Sequence, residues 1–115
     1  MKELGVHYLV DLFGVDFDTA NNLDLLQKII EEALFVSNVT MLNSYYHRFE
    51  PQGCSGVVLI AESHFSFHTY PENGVIMFDI FTCGDRAFPE KAVEVIIDKI
   101  EHTEKNIIKN NRGLL

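Results

Sequence analysis

The stretch SGVVLIAESHFSFHTYPENGVIMFDIFTC, residues 55 to 83, decides the fold. Two apolar runs at 55–62 and 75–83 flank the segment 64–70, in which aromatic and polar residues alternate. This period of two, followed by the turn residues Pro-Glu-Asn-Gly at 71–74, is typical of strands joined by hairpins. The stretch therefore predicts neighbouring antiparallel strands, one of which has a polar face.

The flanking sequence adds two helices and further strands. Apolar residues recur every three or four positions from about Asn21 to Phe35, as in an amphipathic helix, and Pro89 suits the first turn of a second helix. The further strand candidates are GVHYLVDLF (5–13), VTMLNSYYHRF (39–49) and the tail from Asn106, which adds an edge strand or frays. This order predicts an α+β two-layer sandwich, in which a mainly antiparallel sheet carries both helices on one face. The other face is then open, and a second subunit is a reasonable cover for it.

The composition limits the possible classes of function. A length of 115 residues suits a single domain over 1–115, and 47% hydrophobic residues can supply one core. The net charge of -8, without a cluster of basic residues, argues against a nucleic-acid partner. The longest apolar run, GVVLIA at 56–61, is too short to span a membrane, and the start carries no signal-peptide pattern. We therefore expect a cytoplasmic protein in which Cys54 and Cys83 are free thiols.

Several side chains are candidates for chemistry, although none decides the function alone. Ser63 stands where one strand ends and another begins, and a serine at a strained junction can attack its own preceding carbonyl; most such serines only satisfy a turn. His64 and His68 share a strand face but lie roughly 13 Å apart along it, too far to share one ion, so we assign no metal. Cys83 ends an apolar strand and faces either the core or a cleft, and Cys54 receives no role. No partner is visible in the sequence for the remaining histidines, His7, His47 and His102.

Two segments carry a family resemblance. HRFEPQGCSGVVLIAESHFSFHTYPE at 47–72 and FDIFTCG at 78–84 closely resemble the small prokaryotic S-adenosylmethionine decarboxylases. The match is looser over the first strand and both helices. The resemblance implies a proenzyme, or zymogen, that cleaves itself between Glu62 and Ser63.

The implied products are a β chain, 1–62, and an α chain, 63–115, whose first residue becomes a pyruvoyl group. In this scheme the Ser63 hydroxyl attacks the Glu62 carbonyl, the amide becomes an ester, and elimination followed by hydrolysis leaves pyruvoyl and ammonia. The resemblance also implies that this covalent cofactor forms a Schiff base with S-adenosyl-L-methionine and decarboxylates it. The product is the aminopropyl donor for spermidine and polyamine biosynthesis, and the step requires no metal.

The resemblance gives roles to five further residues. Removal of the Ser63 α-proton requires a base and the ester intermediate requires hydrogen-bond donors, and these roles belong to His68 and Ser55. Cys83 is implied as the acid that returns a proton to the substrate. Glu72 accepts from the ribose hydroxyls, and Phe49 stacks on adenine, with His68 on its other side.

The spacing of Ser63 and His68 is an argument independent of the family. The two residues are five positions apart, so a straight strand puts them on opposite faces and up to roughly 16 Å apart. We therefore expect a homodimer in which each active site is shared. One chain supplies Ser63 and Cys83. Its partner supplies the base, the oxyanion donor and the substrate-binding residues, namely His68, Ser55, Phe49 and Glu72.

Two alternatives remain open at this point. A pyruvoyl-dependent arginine decarboxylase on the same fold keeps the serine, histidine and cysteine, although Phe49 and Glu72 favour a nucleoside substrate. An uncleaved ligand-binding α+β domain would leave His64, His68 and Cys83 with structural roles only.

Overall fold

The computed structural model describes residues 2–61, 63–84 and 86–115. Within these ranges the chain forms a six-stranded sheet and three α-helices. The strands are β1 (Gly5–Phe13), β2 (Met41–Arg48), β3 (Cys54–Ile60), β4 (Ser63–Tyr70), β5 (Val75–Cys83) and β6 (Glu104–Arg112). The helices are α1 (Phe17–Ala20), α2 (Leu23–Val36) and α3 (Pro89–Lys99), and a 3-10 turn covers Pro71–Asn73. Across the described ranges, helices are too short or too polar to cross a membrane.

The sheet is antiparallel throughout and has the strand order β2-β3-β4-β5-β1-β6. The three hairpins predicted from residues 39 to 83 are all present, and β1 and β5 have the predicted bounds. The N-terminal strand pairs with β5, and the C-terminal tail forms the edge strand β6 beside it. The predicted α+β architecture is therefore confirmed, with the tail ordered as a strand.

One face of the sheet packs against the helices to form the core. The alternation in β4 places Phe65 and Phe67 on this face, where both are almost completely buried. Burial of a phenylalanine side chain stabilises a fold by about 1.5–3 kcal/mol. The helices contribute apolar residues at three- and four-residue spacing, including Leu26, Ile30 and Leu34 from α2.

Side-chain capping explains where α1 and α2 begin. The Asn22 side chain accepts a hydrogen bond from the Leu25 amide at 3.1 Å, so α2 starts at residue 23 rather than at Asn21 as predicted. The short helix α1 was not predicted, because four residues are too few to show a helical period. It begins after Asp16, whose carboxylate accepts from the Thr19 amide at 3.3 Å.

No helix among the described residues covers the other face of the sheet, which we call the open face. The strand register places one row of residues across all six strands, namely Tyr45, Val57, Ser66, Asp79, Leu9 and Ile108. The outer members of this row, together with Leu59, are exposed apolar side chains, while its centre is polar. The isolated chain therefore leaves apolar surface on both flanks of this face in contact with water.

Candidate active site

A cavity of about 410 Å³ lies at the first residue of β4, and we call it the Ser63 cavity. Ile60 pairs with Ser63 across the β3–β4 hairpin, so the serine immediately follows a very short connection between strands. Only 8% of Ser63 is exposed, since the alternation of β4 turns it toward the helix-covered face. Glu62, assigned from the sequence as the other half of the scissile bond, lies outside the described residues.

Cys83, the last residue of β5, lines the same cavity. Its amide donates a hydrogen bond to the Ser63 hydroxyl oxygen at 3.3 Å. In this contact the serine oxygen acts as the acceptor. The predicted grouping of Ser63 with Cys83 is thus present in the geometry of a single chain.

The Ser63 cavity also contains residues that the sequence did not single out. Asn38 lies there with a left-handed φ of 59°, and its side-chain amide donates to the Arg86 carbonyl at 3.0 Å. Thr40 and Arg86 line the cavity as well. These residues follow α2 or precede α3, far from Ser63 in the chain, so no local motif could have indicated them.

A second cavity of about 260 Å³, which we call the His68 cavity, lies near the other end of β4. It is lined by four of the residues predicted from the sequence, Phe49, Ser55, His68 and Glu72. The antiparallel register of β3 and β4 places Ser55 directly opposite His68, and the Ser55 hydroxyl oxygen lies 2.6 Å from His68 Nδ1. Phe49 is partly exposed, and its ring packs edge-on against His47 at a centroid distance of 4.6 Å. Gln52 and Tyr70 are among the other lining residues and were not predicted.

The two cavities are separate within one chain. Ser63 lies on the helix-covered face, whereas the alternation of β4 puts His68 on the open face. They are five positions apart on an extended strand, a span of roughly 16 Å. The candidate residues therefore divide into the two groups expected from the spacing, and neither cavity contains both groups.

The two cysteines differ in their surroundings. Cys54 is 1% exposed, and burial raises the pKa of its thiol, an effect that its hydrogen-bonding neighbour Thr69 partly opposes. Cys83 is partly exposed at its cavity. A buried thiol with a raised pKa reacts slowly with solutes.

We expect iodoacetamide to modify Cys83 of the folded protein at least about tenfold faster than Cys54. The reagent attacks thiolates, and a buried thiol with a raised pKa presents fewer of them to solvent. Peptide mass mapping over a time course measures the two rates. In denaturant both thiols should react alike, and equal rates in the folded protein would show that Cys54 is accessible.

Known proteins are similar to this chain over almost its whole length. A family model described as S-adenosylmethionine decarboxylase matches residues 6–113. The S-adenosylmethionine decarboxylase proenzyme of Thermococcus onnurineus (strain NA1) is 42% identical over 114 residues, which cover 99% of this chain and 81% of the relative. The proenzyme of the same name from Aquifex aeolicus (strain VF5) is 39% identical over 114 residues, covering 99% and 84%. The crystal structure of the adenosylmethionine decarboxylase from Aquifex aeolicus VF5 superposes with a TM-score of 0.93 at 36% identity, covering 100% of this chain and 95% of that one.

Proposed function

Because the chain belongs to the S-adenosylmethionine decarboxylase family, we propose that it is a proenzyme that cleaves itself at Ser63 and then decarboxylates S-adenosyl-L-methionine. It is a carboxy-lyase whose product supplies the aminopropyl group for polyamine synthesis. The observation that carries the residue assignment is the position of Ser63, held by the Cys83 amide at the first residue of a strand and inside a cavity. The cytoplasmic location stays a prediction from the sequence.

The residues at this cavity fit a pyruvoyl group derived from Ser63. Such a group needs a serine that immediately follows the broken bond, and β4 begins at Ser63 directly after the β3–β4 connection. Space next to Ser63 is available for the substrate. When formed, the group supplies a carbonyl that captures the substrate amine and withdraws the electron pair released as carbon dioxide leaves.

In the self-cleavage step, the Ser63 hydroxyl oxygen attacks the carbonyl carbon of Glu62. The resulting oxyanion needs a donor, and loss of the Ser63 α-proton needs a base. The pair Ser55 and His68 supports both roles in one tautomer. If His68 Nδ1–H donates to the Ser55 oxygen, the Ser55 hydroxyl hydrogen is free for the oxyanion, and His68 Nε2 is free to accept the α-proton.

In the decarboxylation step, Cys83 returns a proton to the substrate α-carbon. The thiol carries a hydrogen that it can donate, and Cys83 lines the same cavity as Ser63. Glu72 and Phe49 line the His68 cavity, where a carboxylate can accept from both ribose hydroxyls and an aromatic ring can stack on adenine. Both residues support a nucleoside-bearing substrate.

Two copies of the chain complete each active site. The separation of the Ser63 and His68 cavities supports this arrangement, because the nucleophile and its base lie on opposite faces of one strand. The exposed apolar flanks of the open face are the surface that a second copy would cover. We therefore propose a homodimer in which the Ser63 cavity of one protomer meets the His68 cavity of its partner.

Carbon dioxide release tests the substrate directly. Purified protein is incubated with S-adenosyl-L-methionine or with arginine, each labelled in the carboxyl carbon, and the Ser63→Ala variant gives the background. We expect release from S-adenosyl-L-methionine alone. Release from arginine alone would assign the chain to arginine decarboxylation instead.

Replacement of Glu72 by glutamine should lower kcat/KM for S-adenosyl-L-methionine by about 10- to 100-fold. Hydrogen bonds to a charged group contribute about 1.5–3 kcal/mol, and the neutral amide accepts the ribose hydroxyls more weakly. Steady-state kinetics on fully cleaved protein measure the change. The double variant Glu72→Gln with Gln52→Glu restores the net charge of the pocket and so controls for it. An unchanged kcat/KM in the Glu72 variant would remove this residue from substrate binding.

A further inference from the structure

Three strands bring two imidazoles and a carboxylate together on the open face, outside both cavities. His7 on β1 and His64 on β4 flank Phe81 of β5 in one row of the sheet. Asp79 lies two residues before Phe81 on the same strand and therefore shares its face. A ligand atom from each histidine and from Asp79 all lie within 4.8 Å of one another. No partner of His7 was visible in the sequence, because the neighbouring strand β5 is more than sixty positions away.

The distances suit a small metal ion. His7 Nε2 lies 2.7 Å from Asp79 Oδ2, and His64 Nε2 lies 3.6 Å from the same oxygen. Zinc bonds of about 2.0–2.2 Å in a tetrahedron hold ligand atoms roughly 3.3 Å apart. Small rotations of the three side chains therefore reach binding geometry. Two imidazoles and one carboxylate suit zinc and neighbouring divalent transition metals better than calcium or magnesium.

A hydrogen bond from a neighbouring strand orients the Asp79 carboxylate toward the two imidazoles. Ser66 donates a hydrogen bond to Asp79 Oδ1, which leaves Oδ2 facing the imidazoles. Hydrogen bonds of this kind orient metal ligands in proteins. In the isolated chain the side chains are sheltered but reachable, with 16% of His7, 23% of Asp79 and 47% of His64 exposed. Arg112, whose guanidinium lies 4.9 Å from the Phe81 ring centre, is a nearby cation that lowers affinity.

We propose that His7, His64 and Asp79 bind one divalent transition-metal ion per chain, with a fourth position open to water. The ion ties β1, β4 and β5 together and takes no part in decarboxylation. This pair, His7 and His64, is not the pair His64 and His68, which lies too far apart along one strand to share an ion. One consequence rests on the proposed function: His7 belongs to 1–62 and the other two ligands to 63–115, so the ion would hold the two cleavage products together.

Calorimetric titration of zinc ions into metal-free full-length protein, with any affinity tag removed, tests the site. We expect one ion per chain, and a loss of affinity of about 100-fold or more in His7→Gln and in His64→Gln, since even outer-shell partners of metal ligands are worth 10–100-fold. His47→Gln removes an exposed histidine elsewhere and should bind zinc like the wild type. Absence of binding, or equal affinity in His7→Gln and the wild type, would overturn the proposal.

Two further measurements make the zinc titration decisive even if a variant fails to fold. Circular dichroism checks that each variant is folded, and cobalt ions added to the wild-type protein report the coordination by visible absorption without any substitution. A four-coordinate cobalt spectrum supports the site, whereas the spectrum of hydrated cobalt contradicts it. The same titration on Ser63→Ala separates this inference from self-cleavage, because the ligand set is intact in the uncleaved chain. Zinc binding there, together with failed cleavage of the wild type, would overturn only the proposed function.

Discussion

Replacement of Ser63 by alanine is expected to leave the protein as one uncleaved chain of about 13.1 kDa and to lower decarboxylation by about 10⁴-fold or more, the scale of losing a catalytic nucleophile. The hydroxyl is both the attacking group and the source of the pyruvoyl carbonyl, so no other residue replaces it. Intact mass spectrometry and labelled carbon dioxide release measure the two effects.

Ser44→Ala provides the matched control. Ser44 is an exposed serine on β2 that lines neither the Ser63 cavity nor the His68 cavity. We expect this variant to cleave and to decarboxylate like the wild type. Cleavage of Ser63→Ala at the wild-type rate would contradict the assignment of the nucleophile, whatever the substrate of the enzyme.

Co-expression of Ser63→Ala with His68→Ala is expected to restore cleavage that neither variant shows alone. The first variant lacks the nucleophile, and loss of a general base slows the second by about 10²–10⁴-fold. In a mixed dimer, Ser63 of the His68→Ala chain meets His68 of the Ser63→Ala chain. Random pairing puts about half of the His68→Ala chains in mixed dimers with two-fold geometry, and these chains should be cleaved.

The masses of the two variants identify which chain is cut. Co-expression of His68→Ala with a chain that carries both substitutions is the control, and no mixed dimer in it contains an intact pair. Restoration in the control as well would mean that His68 is not the base. A lack of restoration in the first pair would mean that each active site is built within one chain.

The alternation of apolar and polar residues was sufficient to predict the central strands and their buried faces. The alternation of Phe65 and Phe67 with His64 and His68 predicted which face of β4 is buried, because side chains on a strand alternate strictly. The same period predicted that Ser63 and His68 lie on opposite faces. These are local properties, and each could be read within eight residues.

Features that depend on distant pairing were not predictable in this way. The strand order, with β1 between β5 and β6, follows from contacts over most of the chain length, and it brings His7 to Asp79. All residues of β6 are exposed, so its sequence shows no buried alternation and was equally compatible with fraying. The roles assigned to Phe49, Ser55 and Glu72 came from the family resemblance, and the geometry added their common cavity.

The most direct test of the account is the intact mass of freshly purified wild-type protein before and after treatment with borohydride. We predict two chains, 1–62 and 63–115. The second should be lighter by one ammonia than a chain beginning with serine, and it should gain two hydrogens on reduction of its carbonyl. A single chain of 13.1 kDa that borohydride does not change would contradict the account.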